Sequence, residues 1–344
     1  MLRGHTPRTL SLKVVTVVTL AASSVAVGGT TAHATALACG TELTTTTTLS
    51  QDIVCPPGWT GDGLVVVGTG ASVVLDLNGH VVTGPGAGGV RIEGSGVSLV
   101  NGATDPAVVS GFATGVVVDQ ASGTSVRGLT VTGNGRGIEL AGGSGGHTIE
   151  ANIVTGNRDD GIRAGSSGHN SITANTVSKN GYGISIADGS DANAVTGNTV
   201  SKNRFAGVAV FCGSDDNEIS DNSVVKTLEG SGIVLQSGSD RTQVLGNGAN
   251  SNVADGIRVE LGGSCSPSPS PEDVLPQETS IAGNTANRNG GDGIDDQGSG
   301  GTVSANTANR NLGYGIVAAC GVIDGGGNVT RNNVAGSQIW GPCP

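Results

Sequence analysis

The chain has 344 residues, of which 61 are glycine and only 2% are aromatic, and its formal net charge is −11 at pH 7. This acidic balance argues against a general nucleic-acid binder and against a protein that lies on anionic membranes. No segment after the first 30 residues is long and apolar enough to predict a membrane span.

The N-terminus has the three parts of a secretory signal peptide. Arg3, Arg8 and Lys13 form a basic start, residues 14–27 are apolar, and a small-x-small cleavage site ends at Ala34. We therefore predict a signal peptide over residues 1–34 and a secreted, extracellular protein. Its removal leaves 14 basic against 28 acidic residues, a net charge of −14.

A glycine followed by Ile or Val returns at a nearly constant spacing along the rest of the chain. The steps are 22 to 25 residues, apart from one of 37. These glycines are Gly115, Gly137, Gly161, Gly183, Gly207, Gly232, Gly256, Gly293 and Gly315. Two asparagines recur in phase with them, one at Asn152, Asn175, Asn198, Asn222, Asn247, Asn284 and Asn306, the other at Asn157, Asn180, Asn203, Asn252, Asn289 and Asn311.

The repeat predicts stacked coils of short β-strands. Apolar residues alternate with period 2, and no window sustains a helical pattern. A unit this short cannot bury its apolar face alone, so successive units must stack, about 4.8 Å apart. Asparagine suits the corners, because it tolerates left-handed backbone and its amide bonds the asparagines above and below. We predict a parallel β-helix over 64–344, a preceding cap at 35–63 and an insertion loop at 262–279.

The units from Gly115 to Val334, together with the string LDLNGH at 75–80, resemble the right-handed parallel β-helix superfamily that includes pectin lyases, and within it the NosD-like secreted branch. The resemblance implies an all-β, single-stranded right-handed parallel β-helix of roughly eleven coils with asparagine ladders. It leaves activity open, because this fold carries lyases, hydrolases, epimerases and proteins without catalysis.

NosD is linked to the maturation of a copper enzyme, but the residues of this chain do not favour a copper site. The mature chain contains no methionine, and its three histidines, His80, His147 and His169, are dispersed. We therefore expect no cofactor, with calcium as the one ion to consider.

Six cysteines in an exported chain favour disulfides. Proximity in sequence suggests bonds that tie the two ends of the solenoid and one that tethers the insertion. The expected pairs are Cys39–Cys55, Cys320–Cys343 and Cys212–Cys265.

Several charged positions should stack on charges of the next coil. Arg136 should lie against Asp160, and Glu139 against Arg163. One interpretation makes Asp159, Asp160 and Arg163 a catalytic groove, with carboxylates for acid–base chemistry and an arginine for a uronate. The other interpretation makes them structural ion pairs, because the signs alternate as packing alone would require.

A basic column is not compensated in this way. Lys179, Lys202 and Lys226 share a place beside the second asparagine, and Arg288 and Arg310 return to it later. They predict either a binding track for an acidic polymer or a solvated face with separated lysine ends. We expect the three lysines to lie on one outer face.

The insertion supplies a second possible binding region. It contains the string SPSPSP and should fold over the adjoining wall to form the deepest groove. The alternative is a flexible proline-rich loop without a partner. The predicted ligand-binding residues beside it are Arg258, Asp295, Asp255 and Asp292.

Asp191, Asp215 and Asp240 share a turn in three successive units. They are either candidate calcium ligands or turn-capping residues that bond to their own backbone. The accessible aromatic residues appear scattered along the sequence, which weakens the prediction of a sugar-cleaving cleft.

These observations predict a secreted, monomeric β-helix protein that binds an acidic polysaccharide or cell-wall glycan and could process it. The alternative is a non-catalytic structural or adhesion rod at the cell surface. Whether the protein is an enzyme stays open. If it is one, the fold suggests a polysaccharide lyase, hydrolase or epimerase.

Overall fold

The computed structural model describes residues 37–143, 145–262 and 274–341. These residues form strands and turns without any helix. The predicted signal peptide lies outside them. The first strands are Thr41–Leu43 (β1), Thr47–Thr48 (β2), Ile53–Val54 (β3), Leu64–Asp76 (β4), Val81–Thr83 (β5), Gly88–Val100 (β6), Ala107–Ser110 (β7), Thr114–Ser122 (β8), Ser125–Arg127 (β9), Leu129–Thr132 (β10), Arg136–Ala141 (β11), Thr148–Glu150 (β12), Ile153–Thr155 (β13), Asp160–Gly165 (β14), Ser171–Thr173 (β15), Thr176–Ser178 (β16) and Tyr182–Ala187 (β17).

The remaining strands continue the same pattern to the end of the described chain. They are Ala194–Thr196 (β18), Thr199–Ser201 (β19), Ala206–Val210 (β20), Glu218–Ser220 (β21), Ser223–Val225 (β22), Ile233–Gln236 (β23), Gln243–Leu245 (β24), Gly248–Asn250 (β25), Ile257–Glu260 (β26), Ser280–Ala282 (β27), Ile294–Asp296 (β28), Thr302–Ser304 (β29), Thr307–Asn309 (β30), Tyr314–Ala318 (β31), Ile323–Gly326 (β32), Val329–Arg331 (β33) and Gly336–Trp340 (β34).

Successive coils pair in parallel along three walls. Wall one begins with β1 and carries the strands that contain the repeat glycine, such as β11, β14 and β17. Wall two contains β12, β15 and β18, and wall three contains β13, β16 and β19. Walls one and two belong to one 23-stranded sheet, because the long strands β4 and β6 run through both.

The solenoid has about 12 turns, close to the roughly eleven that the repeat predicts. The difference lies in the region 35–63. There β1, β2 and β3 already pair with β4 and β5, so this segment contains a first turn that lacks the glycine–isoleucine signature.

The core is built from aliphatic columns, one residue per coil. Ile138, Ile162 and Ile184 succeed one another on wall one and have 0% exposure. Burial of each such side chain contributes roughly 1.5–3 kcal/mol relative to its exposure. Trp59 and Trp340, near the two ends of the described chain, pack against this core.

Asparagine ladders hold the corners, as predicted. In the first ladder, the backbone N–H and the side-chain Nδ2 of Asn198 both donate to Oδ1 of Asn222, at 2.9 and 3.0 Å. Nδ2 also donates to the carbonyl of Ile172 at 2.8 Å. A third, short ladder at Asn170, Asn193 and Asn217 was not anticipated from the sequence.

Close approach of the coils explains the repeat glycine. A Cβ at Gly183 would lie 2.3 Å from the carbonyl oxygen of Gly207 in the next coil. No side chain can be accommodated at that distance without a shift of the backbone.

The Cys39–Cys55 disulfide is present, which confirms that prediction. Cys212 and Cys320 are also disulfide-bonded. Their expected partners, Cys265 and Cys343, lie outside the described residues. No helix that could span a membrane occurs in the part of the chain that the structure covers.

Candidate functional site

The basic column lies along one corner of the solenoid. Ser178, Ser201 and Val225 are register partners on wall three, so the lysine after each of them stacks in the same column. Lys179 donates its backbone N–H to Ser201 at 3.3 Å, and Lys202 donates to Val225 at 3.2 Å. The three lysines are exposed.

Backbone geometry identifies this column as a turn. Lys179, Lys202 and Lys226 have φ of 58°, 56° and 59°, and Arg288 and Arg310 have 58° and 60°. Left-handed backbone is costly for a residue with a Cβ. Here it places each side chain at the apex between wall three and the next buried polar residue, which is the second asparagine in four of these coils and Thr227 after Lys226.

The cations of this corner differ from the others in their lack of ion-pair partners. Within the described residues, all the other Lys and Arg side chains lie within 4.0 Å of a carboxylate, whereas Lys179, Lys202, Lys226, Arg288, Arg310 and the adjacent Arg331 do not. We call these six residues the basic corner. The paired residues are Arg91, Arg127, Arg136, Arg158, Arg163, Arg204, Arg241 and Arg258.

Wall one shows the opposite arrangement. Arg136 contacts Asp160 at 3.7 Å, as the register predicts, but its shortest ion pair is with Glu139, at 2.8 Å in the same strand. Glu139 and Arg163 are register partners, yet Arg163 pairs with Asp188. The predicted stacking of Glu139 on Arg163 is therefore confirmed by the register, whereas the ion pair of Arg163 is made with Asp188, because a long side chain can reach a partner beyond its own register position.

The carboxylates proposed for acid–base chemistry are held by neighbouring side chains. Asp160 is 7% exposed, and Ser185 donates to its Oδ1 at 3.0 Å. Burial raises the pKa of Asp160. Asp159 turns to Arg158, whose hydrogen bond lowers the pKa of Asp159. A catalytic role for Asp159, Asp160 and Arg163 stays a prediction.

The charged residues beside the insertion form a compact network. Arg258 lies 2.7 Å from Glu260 and 3.4 Å from Asp255. Asp255 also accepts the backbone N–H of Asp292 at 2.7 Å. Burial raises the pKa of both Asp292 and Asp295. Residues 263–273 of the loop lie outside the described chain, so the groove beside it stays a prediction.

Three aromatic side chains meet on wall one. The Tyr182 ring lies 5.3 Å from that of Phe205 and 6.2 Å from that of Phe211, centroid to centroid. The guanidinium of Arg204 sits 4.7 Å from the Phe205 ring. The expectation of scattered aromatics is wrong here. The three residues stand at different offsets from the repeat glycine of adjacent coils, so no single sequence column revealed them.

The aspartates considered for calcium form a short ladder. Oδ1 of Asp191 accepts the N–H of Asp215 at 2.8 Å, and Oδ1 of Asp215 accepts that of Asp240 at 2.9 Å. Arg241 pairs with Asp215 at 2.9 Å. Among the described residues, no group of three or more His, Cys, Asp or Glu is placed to hold a metal ion.

Comparison with known proteins places the repeat in a family. The model described as "Periplasmic copper-binding protein (NosD)" matches residues 43–229. The chain belongs to the NosD family. No curated protein matches the sequence.

The family description implies copper, but the described residues of this NosD-family chain do not fit it. His80 contacts Asp52 at 3.1 Å. His147 is 1% exposed and its Nδ1 accepts the backbone N–H of Thr124. His169 is exposed on a left-handed turn. The three imidazoles are not assembled with other donors into a common site.

Solved structures share the fold. The A-module of mannuronan C-5 epimerase AlgE6 from Azotobacter vinelandii is 17% identical, with 87% of this chain and 92% of that chain covered and a TM-score of 0.50. The Dettilon tailspike protein is 17% identical, with 84% and 61% covered and a TM-score of 0.57. The catalytic domain of a GH87 α-1,3-glucanase is 14% identical, with 89% and 63% covered and a TM-score of 0.50.

Proposed function

We propose that this protein is an exported β-helix protein that binds an acidic polysaccharide along the basic corner. The observation that carries the proposal is the distribution of ion pairs. In a chain of net charge −11, six cations without a carboxylate partner gather at one corner of the described solenoid. Fold stability does not require this, since exposed like charges in successive coils repel each other.

The geometry suits a repeating polymer. Lys179, Lys202, Lys226, Ser251, Arg288 and Arg310 follow one another at one residue per coil, a span of about 24 Å at the strand spacing. Each exposed contact to a carboxylate contributes roughly 0.2–1 kcal/mol. Affinity should therefore grow with the number of charged sugars and fall with ionic strength.

The aromatic cluster on wall one offers a place for a sugar ring near the corner in sequence. Tyr182 and Phe205 each follow a lysine of the corner by three residues. Phe205 is 41% exposed, and its ring is covered in part by Arg204. An aromatic face beside polar groups suits a ring that is apolar on one side and hydroxylated at its edge.

Two other observations support export and a glycan ligand. The family is described as periplasmic, and the Cys39–Cys55 disulfide is typical of an oxidising compartment. Structural neighbours include a mannuronan epimerase and an α-1,3-glucanase, although at such low identity they share only the fold.

The test measures binding of the secreted protein to polygalacturonate, polymannuronate and neutral dextran by isothermal titration calorimetry at 50 and 300 mM salt. We expect both polyuronates to bind, with affinity that falls in high salt and rises with polymer length, and dextran not to bind. Equal binding of dextran, or binding that ignores salt, would overturn the proposal. Absence of binding to any glycan would favour the structural rod. The same samples, checked for unsaturated uronate products, report on lyase activity.

A further inference from the structure

The basic corner ends in a groove that differs from the rest of the column. The groove has a volume of about 360 Å³ and lies between wall three and the corner in the last coils. We call it the arginine groove. It is lined by Asn287, Arg288, Asn309, Arg310, Arg331 and Asn332. Its size falls at the lower end of the about 300–1,000 Å³ typical of small-molecule sites.

The groove brings together the described arginines that lack a carboxylate partner. Arg310 stacks on Arg288 along the corner, since the N–H of Arg288 donates to Asn309 and that of Arg310 to Arg331, both at 3.0 Å. Arg331 is the register partner of Asn309 on wall three. Planar guanidinium groups bind carboxylate, sulfate and phosphate through paired hydrogen bonds, which the lysines of the earlier coils cannot make.

The asparagines add hydrogen-bonding groups that an inorganic anion would not require. Oδ1 of Asn250 accepts the N–H of Asn287 at 2.8 Å, and Oδ1 of Asn287 accepts that of Asn309 at 2.7 Å. This ladder ends at Asn309, whose Oδ1 is buried without a hydrogen-bond donor. An unsatisfied buried acceptor is unfavourable by roughly 1–3 kcal/mol, so a turn of the Asn309 amide that brings Oδ1 to a ligand hydroxyl would relieve that cost.

We propose that the arginine groove is a discrete binding site for one sugar residue that carries an oxyanion, either a uronate carboxylate or a sulfate ester. The arginines bind the oxyanion, and Asn309 accepts a hydroxyl of the same ring. The groove anchors the polymer, and the lysine column adds contacts that depend on its length. These different roles of the groove and the lysine column rest on the proposed polysaccharide function, but the binding of a single sugar to the groove can be measured separately.

The test titrates the full secreted protein separately with galacturonate, galactose 6-sulfate, galactose and inorganic sulfate. Binding of each probe is measured by ligand-observed NMR. We expect at least one acidic sugar to bind, galactose not to bind, and inorganic sulfate to bind about tenfold more weakly than that sugar. Comparison of the two acidic sugars decides between carboxylate and sulfate. Sulfate that binds as tightly as both sugars would overturn the role of Asn309.

Variants locate the site. Arg310→Gln and, independently, Arg288→Gln should weaken the acidic sugar at least about tenfold, whereas Arg127→Gln, at an arginine that is paired with Glu150 outside the corner, should leave it unchanged. Acidic-sugar binding that survives both arginine changes overturns the groove, even if polyuronate still binds the wild type. Conversely, arginine-dependent binding of the sugar without any polyuronate binding would refute the polymer function and keep the groove.

Discussion

The basic corner and wall one both carry cations, yet their cations differ in whether they pair with carboxylates. On wall one, Arg136, Arg163 and Arg258 each lie against a carboxylate. At the corner, none of the six cations has such a partner among the described residues. The arginines of wall one are therefore used in ion pairs with carboxylates of the protein itself. The charges at the corner are not used in ion pairs of the fold, and this difference is the basis for the proposal that the corner binds an acidic ligand.

The largest effect should come from neutralising the corner. The triple variant Lys179→Gln, Lys202→Gln and Lys226→Gln should weaken long polyuronate about 100-fold, since three contacts of about 1 kcal/mol are lost. Its thermal unfolding temperature should not fall, because no ion pair breaks and the repulsion between successive lysines is removed. The control Arg127→Gln, Arg158→Gln and Arg241→Gln removes the same charge from paired positions. Equal loss in both variants would mean that net charge, and not the corner, binds the polymer.

A buried charge inside the solenoid extends the comparison. Asp296 stacks between Val259 and Ala318 in the core with 0% exposure, and burial raises its pKa to about 6. An unfolded aspartate titrates near 3.9. The folded state therefore keeps the proton to higher pH, and stability declines as pH rises from about 4 to 6.

Asp296→Asn should consequently raise the free energy of unfolding by about 3 kcal/mol at pH 8 and by little at pH 4. Denaturant unfolding at both pH values measures this difference. Polyuronate binding should not change. A gain that is the same at both pH values would show that ionisation of Asp296 is not the cause.

His147 gives the opposite sign and serves as an internal reference. Burial lowers its pKa to about 4, so the stability it contributes is complete above about 6.5 and is lost as pH falls through 4. His147→Asn, which restores the residue of the neighbouring ladder, should remove that acid sensitivity. Urea unfolding at pH 7 and pH 4 provides the comparison, and an unchanged difference between them would contradict the assignment.

On wall one, Asp160→Ala should behave as a structural change. It leaves the buried hydroxyl of Ser185 without its acceptor and Arg136 without one partner, so the free energy of unfolding should fall by about 1–2 kcal/mol. Polyuronate affinity should stay within twofold of wild type. The double variant with Ser185→Ala should recover part of the loss. A strong loss of binding with unchanged stability would instead move the functional site onto the wall.

The smallest effect concerns the aromatic cluster. Phe205→Ala should weaken polyuronate about threefold, since a stacking contact contributes roughly 0.5–1 kcal/mol. Val253→Ala is the control, because Val253 is an apolar residue that is 58% exposed and is not one of the three clustered rings. The two variants can be compared in one titration series. Identical affinities would show that the rings only shield Ala206 and Ala209.

Periodicity was sufficient to predict what depends on backbone register. The aliphatic columns and both long asparagine ladders follow from spacing alone, and the Cys39–Cys55 bond was predicted from the proximity of the two cysteines in sequence. The ion-pair partners of long charged side chains did not follow from the spacing. Arg163 selects Asp188 over its register partner Glu139, because a long side chain reaches several carboxylates of similar distance. The arginine groove could not be predicted from the repeating column, since Arg331 occupies a strand position one residue before the corner.

The left-handed corner has a consequence for how this surface can change. Its side chains point away from the core, and their backbone bonds to the next coil survive any substitution except proline. Gly133 and Gly156 occupy the place in earlier coils, then lysine, serine, arginine and finally Asn332. Each coil thus presents one side chain at this corner that can be substituted independently, while the backbone of the corner stays in place. Substitution of these residues, one coil at a time, should therefore change the ligand preference of the surface while the fold stays the same.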